Sequence, residues 1–276
     1  MPSTTSHARR RATLRALPSA TALAGLLASF GAHSQPEADA SIEAAEPAPS
    51  GLGLGLAFNS RQPPYAGVDR KNRVLPLLTY ENSWFRFVGL GGEFKLGHLE
   101  LAPRNELSFA LKVDYHFDAY KSSDSAALSG MEARKGGVWG GGVLAWRNPV
   151  AQVRAEWSAD LSGHSKGQVL SLRAEHRFGL GPVGLTPHVQ AQWQDAKAVD
   201  YYYGVRDTEA LPNRPAYTPG AATTLEAGLR TDFMLARHQS LFMDLSVTHL
   251  PGTISNSPIV DRSNLSSVSI GYLYRF

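Results

Sequence analysis

After residue 50, apolar and polar residues alternate with a period of two. In the last segment Val268, Ile270, Tyr272, Tyr274 and Phe276 share one face, and Ser267, Ser269, Gly271, Leu273 and Arg275 the other. Leu107, Phe109, Leu111, Val113, Tyr115 and Phe117 likewise oppose Glu106, Ser108, Ala110, Lys112, Asp114 and His116. Leu170, Leu172 and Ala174 oppose Ser171, Arg173 and Glu175, and Leu225, Ala227 and Leu229 oppose Glu226, Gly228 and Arg230. Successive side chains of a strand point to opposite faces, so these segments read as strands with one apolar and one polar face. The pattern predicts strands at 51–59, 73–81, 84–90, 93–100, 106–117, 137–147, 150–160, 168–178, 184–194, 221–234, 240–250 and 265–276. That is an all-β chain whose even count of twelve suits a closed transmembrane antiparallel β-barrel. The early strands are the least sharply defined, since 84–100 also reads as one long bent strand; ten is the fallback count, and fourteen results if 200–205 forms part of another hairpin.

The connections carry a second signal. Links at 60–72, 118–136, 161–167, 195–220 and 251–264 are mostly long, and those at 82–83, 101–105, 148–149, 179–183 and 235–239 are short. The tight link at 91–92 breaks the alternation once. Outer-membrane barrels have short periplasmic turns and longer extracellular loops, which places both termini in the periplasm. A lipocalin-type soluble barrel and a two-sheet sandwich share the period. Against both stand the acids set beside bases on the polar face and the aromatic residues near strand ends, including Tyr80, Trp84, Tyr115, Phe117, Trp146, Trp193, Tyr272 and Tyr274.

The N-terminus reads as a signal peptide over 1–34. Arg9, Arg10, Arg11 and Arg15 precede an alanine-rich apolar stretch, and Ala32 and Ser34 set small residues for cleavage before Gln35. Its loss removes four arginines and no acid, leaving 23 basic against 24 acidic groups, so the formal charge of +3 belongs to this segment. Residues 35–50, acidic and rich in Ala and Pro, read as a disordered leader ahead of a barrel over 51–276. No run of eighteen apolar residues suggests a spanning helix. Absent cysteine excludes disulfides, thiolate metal sites and thiol nucleophiles. The small net charge argues against a nucleic-acid partner.

Four stretches carry a family resemblance: GLGLGLAFNSRQPPYAGVDRKNRVLPLLTYENSWF (51–85), YYYGVRDTEA (201–210), AYTPGAATTLEAGL (216–229) and SPIVDRSNLSSVSIGYLYRF (257–276). Within them Tyr65, Gly67, Asp69, Pro76, Tyr80, Tyr202, Tyr203, Gly204, Tyr217, Ser257 and Pro258 stand out. In their order and spacing the chain resembles the MltA-interacting protein family, also described as the MipA/OmpV family. The resemblance implies an outer-membrane barrel. It also implies a scaffold holding a lytic transglycosylase near a peptidoglycan synthase, while other members are described as adhesins or porin-like channels. Tyr272, Tyr274 and the terminal Phe276 resemble the signal read by the barrel assembly machinery. Lipid and lipopolysaccharide are the expected surroundings.

Chemistry is harder to find. No HExxH or GxSxG arrangement occurs, and phosphate-loop and dinucleotide fingerprints are absent, so no catalytic residue, metal or cofactor is assigned. His116 near Asp114 and Ser122 or Ser123, and His164 beside Ser162, Ser165 and Asp160, are the sites an outer-leaflet lipid-modifying enzyme would use. Asp195, Asp200, Asp207 and Glu209 match no calcium loop. The inward ionisable set is Glu106, Lys112, Asp114, Arg154, Glu156, Arg173, Glu175, Arg177, Glu226, Arg230, Asp232, Asp244 and Arg275, seven acids and six bases. Balanced charge has two readings: ion pairs that occlude the lumen and fix its register, or a hydrated, weakly selective pore. The leading expectation is a non-enzymatic scaffold or envelope-integrity barrel; the alternatives are a small-solute channel and then a lipid enzyme.

Overall fold

In the computed structural model, residues 51–117 and 119–276 are described. The expected signal peptide and leader lie outside them. The strands are β1 (Gly51–Arg61), β2 (Lys71–Glu81), β3 (Phe85–Val88), β4 (Gly91–Ala102), β5 (Asn105–His116), β6 (Gly137–Arg147), β7 (Gln152–Asp160), β8 (Gln168–Glu175), β9 (Phe178–Leu180), β10 (Val183–Gln194), β11 (Ala222–Ala236), β12 (Gln239–His249) and β13 (Asn264–Arg275). Segments β8 and β9 both pair with β10, so they form one stave broken at His176 and Arg177. The thirteen segments thus make twelve staves. All neighbours are antiparallel, and β1 pairs with β13 from Gly53↔Arg275 to Arg61↔Ser267, which closes the barrel.

The faces are inverted relative to a soluble protein. Leu54, Leu56, Val74, Leu111, Val113, Leu172, Val189, Leu225, Val247 and Ile270 point outward and are exposed. Lys112, Arg154, Arg173, His188 and Arg230 point inward and are buried. So large an exposed apolar surface is stable only against hydrocarbon. Trp84, Tyr80, Trp146, Trp193 and Tyr272 are exposed toward strand ends. Phe117 departs from that group, lying under the Arg73 guanidinium at 4.8 Å.

Three local expectations are corrected. Residues 84–90 give only the four-residue β3, because the chain turns at Gly89, whose φ of +59° suits glycine. The stave predicted at 168–178 is interrupted, as above. Residues 200–205 add no hairpin, for Ala196–Tyr203 forms a helix, α1. Asp195 caps it, accepting from the Ala198 amide at 2.9 Å, and its buried face carries Ala198, Val199, Tyr202 and Tyr203. Asp195→Ala is expected to cost about 1 kcal/mol, the usual loss on removing such a cap. Faster proteolytic nicking of the 195–221 loop, with the barrel itself intact, is the readout.

Candidate functional site: the lumen and its loop cap

The lumen wall from β4 to β7 carries a chain of opposite charges. The Arg154 guanidinium pairs with Glu93 and with Glu156. The Lys112 Nζ lies 2.5 Å from Glu156 and 2.7 Å from Asp114. Lys112 reaches past β6 because the register sets Gly141, without a side chain, between it and Ser158. On the facing wall Arg173 pairs with Glu175 at 2.9 Å, and Arg230 with Asp232 at 2.9 Å. His188 lies 3.8 Å from Glu226 and 3.9 Å from Asp244. Thr248 donates to Glu226 at 2.9 Å. Each charge is drawn from water beside an opposite one, which offsets the desolvation that would make a lone ion untenable there.

Of the thirteen ionisable residues expected inside, Lys112, Asp114, Arg154, Glu156, Arg173, Glu226 and Asp244 line a single cavity. Arg61, Arg86, Glu93 and His188 join them. The inward set omitted these four; the glycines at 91 and 92 hide the alternation that would reveal Glu93. Glu175, Arg230 and Asp232 are paired outside that cavity. Nearer the short turns, Glu106 stands opposite Arg147, the Arg177 guanidinium packs against Gly184, and Arg275 stands opposite Gly53.

Above the cavity the long loops meet. Tyr65 and Val68 from the β1–β2 loop pack in one buried cluster with Tyr120, Leu128 and Met131 from β5–β6. The same cluster takes in Val199, Tyr202, Tyr203 and Val205 from β10–β11, and Leu250, Ile254 and Ile259 from β12–β13. The β5–β6 loop thus meets loops that spring from β10–β11, β12–β13 and β1–β2, on the other side of the barrel, in one cap over the mouth. Tyr65 and Tyr120 meet edge to face at 4.6 Å, and the Tyr65 hydroxyl donates to the Tyr202 carbonyl at 3.0 Å. The Ser257 hydroxyl donates to Tyr203 O at 2.6 Å, and the Tyr217 hydroxyl to Thr253 O at 3.1 Å. Burial raises the hydroxyl of Tyr65 well above its ordinary range and pushes Tyr203 up to about 12, keeping both neutral.

Arginines tie the cap together. Arg134 forms a bidentate pair with Glu209, at 2.9 and 2.7 Å, with both side chains almost fully buried. Its Nε donates to Tyr201 O at 2.7 Å. Glu209 also accepts the amides of Glu132 at 2.9 Å and Arg206 at 3.1 Å. Burial alone would raise the Glu209 carboxyl, but the guanidinium and the two amides hold it below the usual carboxylate range. Arg214 donates to the carbonyls of Ala127, Ser129 and Glu209 at 2.7, 2.9 and 2.7 Å, and Arg262 to that of Pro63 at 2.9 Å. Of these four anchoring residues only Glu209 was singled out from the sequence, as part of a carboxylate-rich loop; nothing local to Arg134, Arg214 or Arg262 marks them.

The family-motif residues divide between cap and wall. Tyr65, Tyr202, Tyr203, Tyr217 and Ser257 converge in the cap. Gly67 turns there with a φ of +68°, and its amide donates to Asp261 at 3.3 Å. Gly204 ends α1, its amide donating to Asp200 O at 2.8 Å, and Pro258 lies beside Ser257. Asp69 is exposed, while Pro76 and Tyr80 sit on the outward face of β2. Of the terminal residues, Tyr272 and Tyr274 face outward, and the Phe276 amide donates to Leu52 O at 2.9 Å.

The histidine and carboxylate candidates hold structure instead. His116 stacks on Trp139 with centroids 5.2 Å apart. The His164 Nδ1 meets Gly136 O at 2.5 Å, and the Ser165 hydroxyl donates to Asp160 at 2.8 Å, so that set is not arranged as a nucleophile with its base. Asp195 is used as a helix cap and Glu209 by Arg134. Among the described residues no group of three or more His, Asp or Glu is placed to hold a metal ion.

The family described as MltA-interacting protein MipA matches residues 52–276. A putative outer-membrane protein of Escherichia coli K12, YiaT, is 28% identical over 229 residues, covering 82% of this chain and 90% of that one. The MltA-interacting protein of Escherichia coli K12 is 25% identical over 228 residues, covering 81% and 89%. Outer membrane protein OmpV of Vibrio cholerae is 27% identical over 162 residues, covering 57% and 62%. Among solved structures the NanC porin superimposes with a TM-score of 0.46 at 10% identity, over 81% of this chain and all of that one. With the family matching residues 52–276 of a barrel and with outer-membrane relatives among its similar proteins, the chain belongs to the MltA-interacting protein family of outer-membrane β-barrels.

Proposed function

We propose that this protein is a non-enzymatic scaffold or envelope-integrity barrel, its long loops extracellular and its termini and short turns periplasmic. The closed mouth carries this reading. A cap with buried tyrosines, a bidentate Arg134–Glu209 pair and carbonyls held by Arg214 and Arg262 suits a wall component better than a standing pore. The ion pairs from Glu93 to Asp114 likewise brace the wall from β4 to β7. The name of the relative, MltA-interacting protein, points to a lytic transglycosylase as partner. Its contact surface would be the periplasmic rim formed by the short turns.

Single-channel recording tests this. The refolded mature protein is expected to insert into a planar bilayer without reproducible conductance steps. Steps whose ion selectivity shifts on Arg173→Gln would overturn the reading and establish a small-solute channel with a charge-balanced lumen.

A further inference from the structure

The barrel wall has a gap. Strand β2 pairs with β1 along its whole length, from Gly51↔Glu81 to Arg61↔Lys71, but with β3 only at Thr79, Tyr80 and Glu81. One further bond, from the Gly89 amide to Leu78 O, ends the contact. Backbone groups of alternate residues point to the same side, so those of Asn72, Val74 and Pro76 face the same way as Leu78. Among the described residues no strand meets them there. Pro76 fits this edge, since the amide hydrogen it lacks would have had no partner. Strand β4 pairs with β5 from Ala102↔Asn105 to Gly91↔Asp114, but the hairpin it forms with β3 ends beside Leu78, leaving the upper part of β2 without a strand on that side.

The cavity reaches that gap. A cavity behind a complete wall is lined by inward side chains alone. This one is lined by inward Lys112, Glu156 and Leu75, and also by Pro76, Leu90 and Tyr115, which are exposed on the outside. Higher up, the Lys71 Nζ spans to Ala119 O at 3.5 Å and Asp124 at 3.3 Å, and Arg73 lies over Phe117. These contacts frame a side window beneath the loop cap. Its edge is apolar, whereas its floor carries as many acids as bases.

We propose that this window is a lateral binding site for the alkyl chain of an amphipath whose head is zwitterionic, resting on the balanced lumen charges. A head with net charge would leave one sign uncompensated in a buried site, while a zwitterion adds none. The shared chemistry is an alkyl chain with a phosphocholine-like head, supplied either by a bilayer lipid or by a single-chain amphipath. The site does not depend on the scaffold reading: it needs only the gap and the cavity.

Cysteine chemistry suits the test, because the chain contains none. Bimane is attached at Leu75→Cys, at lipid-facing Val74→Cys and at Thr224→Cys, which points inward from an intact wall. Each protein is refolded into phosphatidylcholine vesicles with or without dibrominated acyl chains. Quenching at Leu75 within about twofold of that at Val74, with little at Thr224, is expected, since contact with hydrocarbon needs a break in the wall. Equal protection of Leu75 and Thr224 would overturn the window. Val88→Cys, inward on β3, replaces Leu75→Cys if that variant loses its folded gel band. In unbrominated vesicles, added bromododecyl phosphocholine is expected to quench Leu75 at concentrations about tenfold lower than bromododecyl sulfate or bromododecyl trimethylammonium, given the cost of an unpaired buried charge. Quenching by bilayer lipid but not by the added phosphocholine assigns the site to the lipid. Equal or stronger quenching by either charged probe would overturn the head-group assignment.

Discussion

Gly55→Ala is expected to abolish the compact, heat-modifiable form of this barrel on unboiled gels. Gly55 lies in the seam that closes the sheet, opposite Leu273 of β13 and Leu77 of β2. A Cβ there would stand 1.9 Å from Tyr272 O and 3.1 Å from the Leu273 Cα. Both obstacles are backbone in the partner strand, so no side chain can swing aside. Relief requires β1 and β13 to part, and that removes the ladder from Gly53↔Arg275 onward. In hydrocarbon each bond so broken leaves polar groups with no water to replace the partner, so the loss exceeds the about 4–5 kcal/mol that marks exceptional single substitutions. Gly142→Ala is the matched control. Its Cβ would meet nothing nearer than Ala110 O at 3.9 Å, and the folded band should persist. A folded band for Gly55→Ala, with unchanged melting, would show that the seam is not as close as described.

The same seam shows what alternation can and cannot reveal. Val268, Ile270 and Tyr272 declare the outward face of β13 because a lipid-facing wall makes the period unavoidable. Strand β6 matches its predicted bounds, 137–147, since turn residues flank it on both sides. The break at His176 and Arg177 was hidden because two residues leave the parity of the stave unchanged. The shortness of β3 was hidden for another reason: Phe85, Phe87 and Leu90 look as strand-like beside a gap as beside a partner. At the site, Lys112 and Glu156 are legible as inward charges. Their pairing across β6 depends on register, and register is set by all twelve staves together. The cap was the least legible part. Tyr65, Tyr202, Tyr203 and Ser257 stand far apart in sequence, and nothing local to Arg134 announces that Glu209 will meet it.

Arg134→Met should open the cap while leaving the wall closed. It removes the cation facing Glu209 and strands a carboxylate that is almost fully buried, for which the usual cost is about 3–5 kcal/mol. It also withdraws the donors to Tyr201 O and Glu132 O, so the β5–β6 and β10–β11 loops lose their common anchor. The barrel ladders are untouched, and the folded gel band should remain. Expected instead are cleavage by added protease within 117–136 and 195–221, and conductance steps where the parent shows none. A further change, Glu209→Leu, removes the stranded charge and should restore most of the protection, as replacing a whole buried pair by apolar groups commonly costs little. Acid should mimic the single variant. The folded Glu209 carboxyl is held below its unfolded value of about 4.3, so its contribution is complete above that pH and is lost as pH falls through the depressed folded value. Loop cleavage that is unaffected by Arg134→Met and flat from neutral to strongly acidic pH would rule out the pair as the latch of the cap.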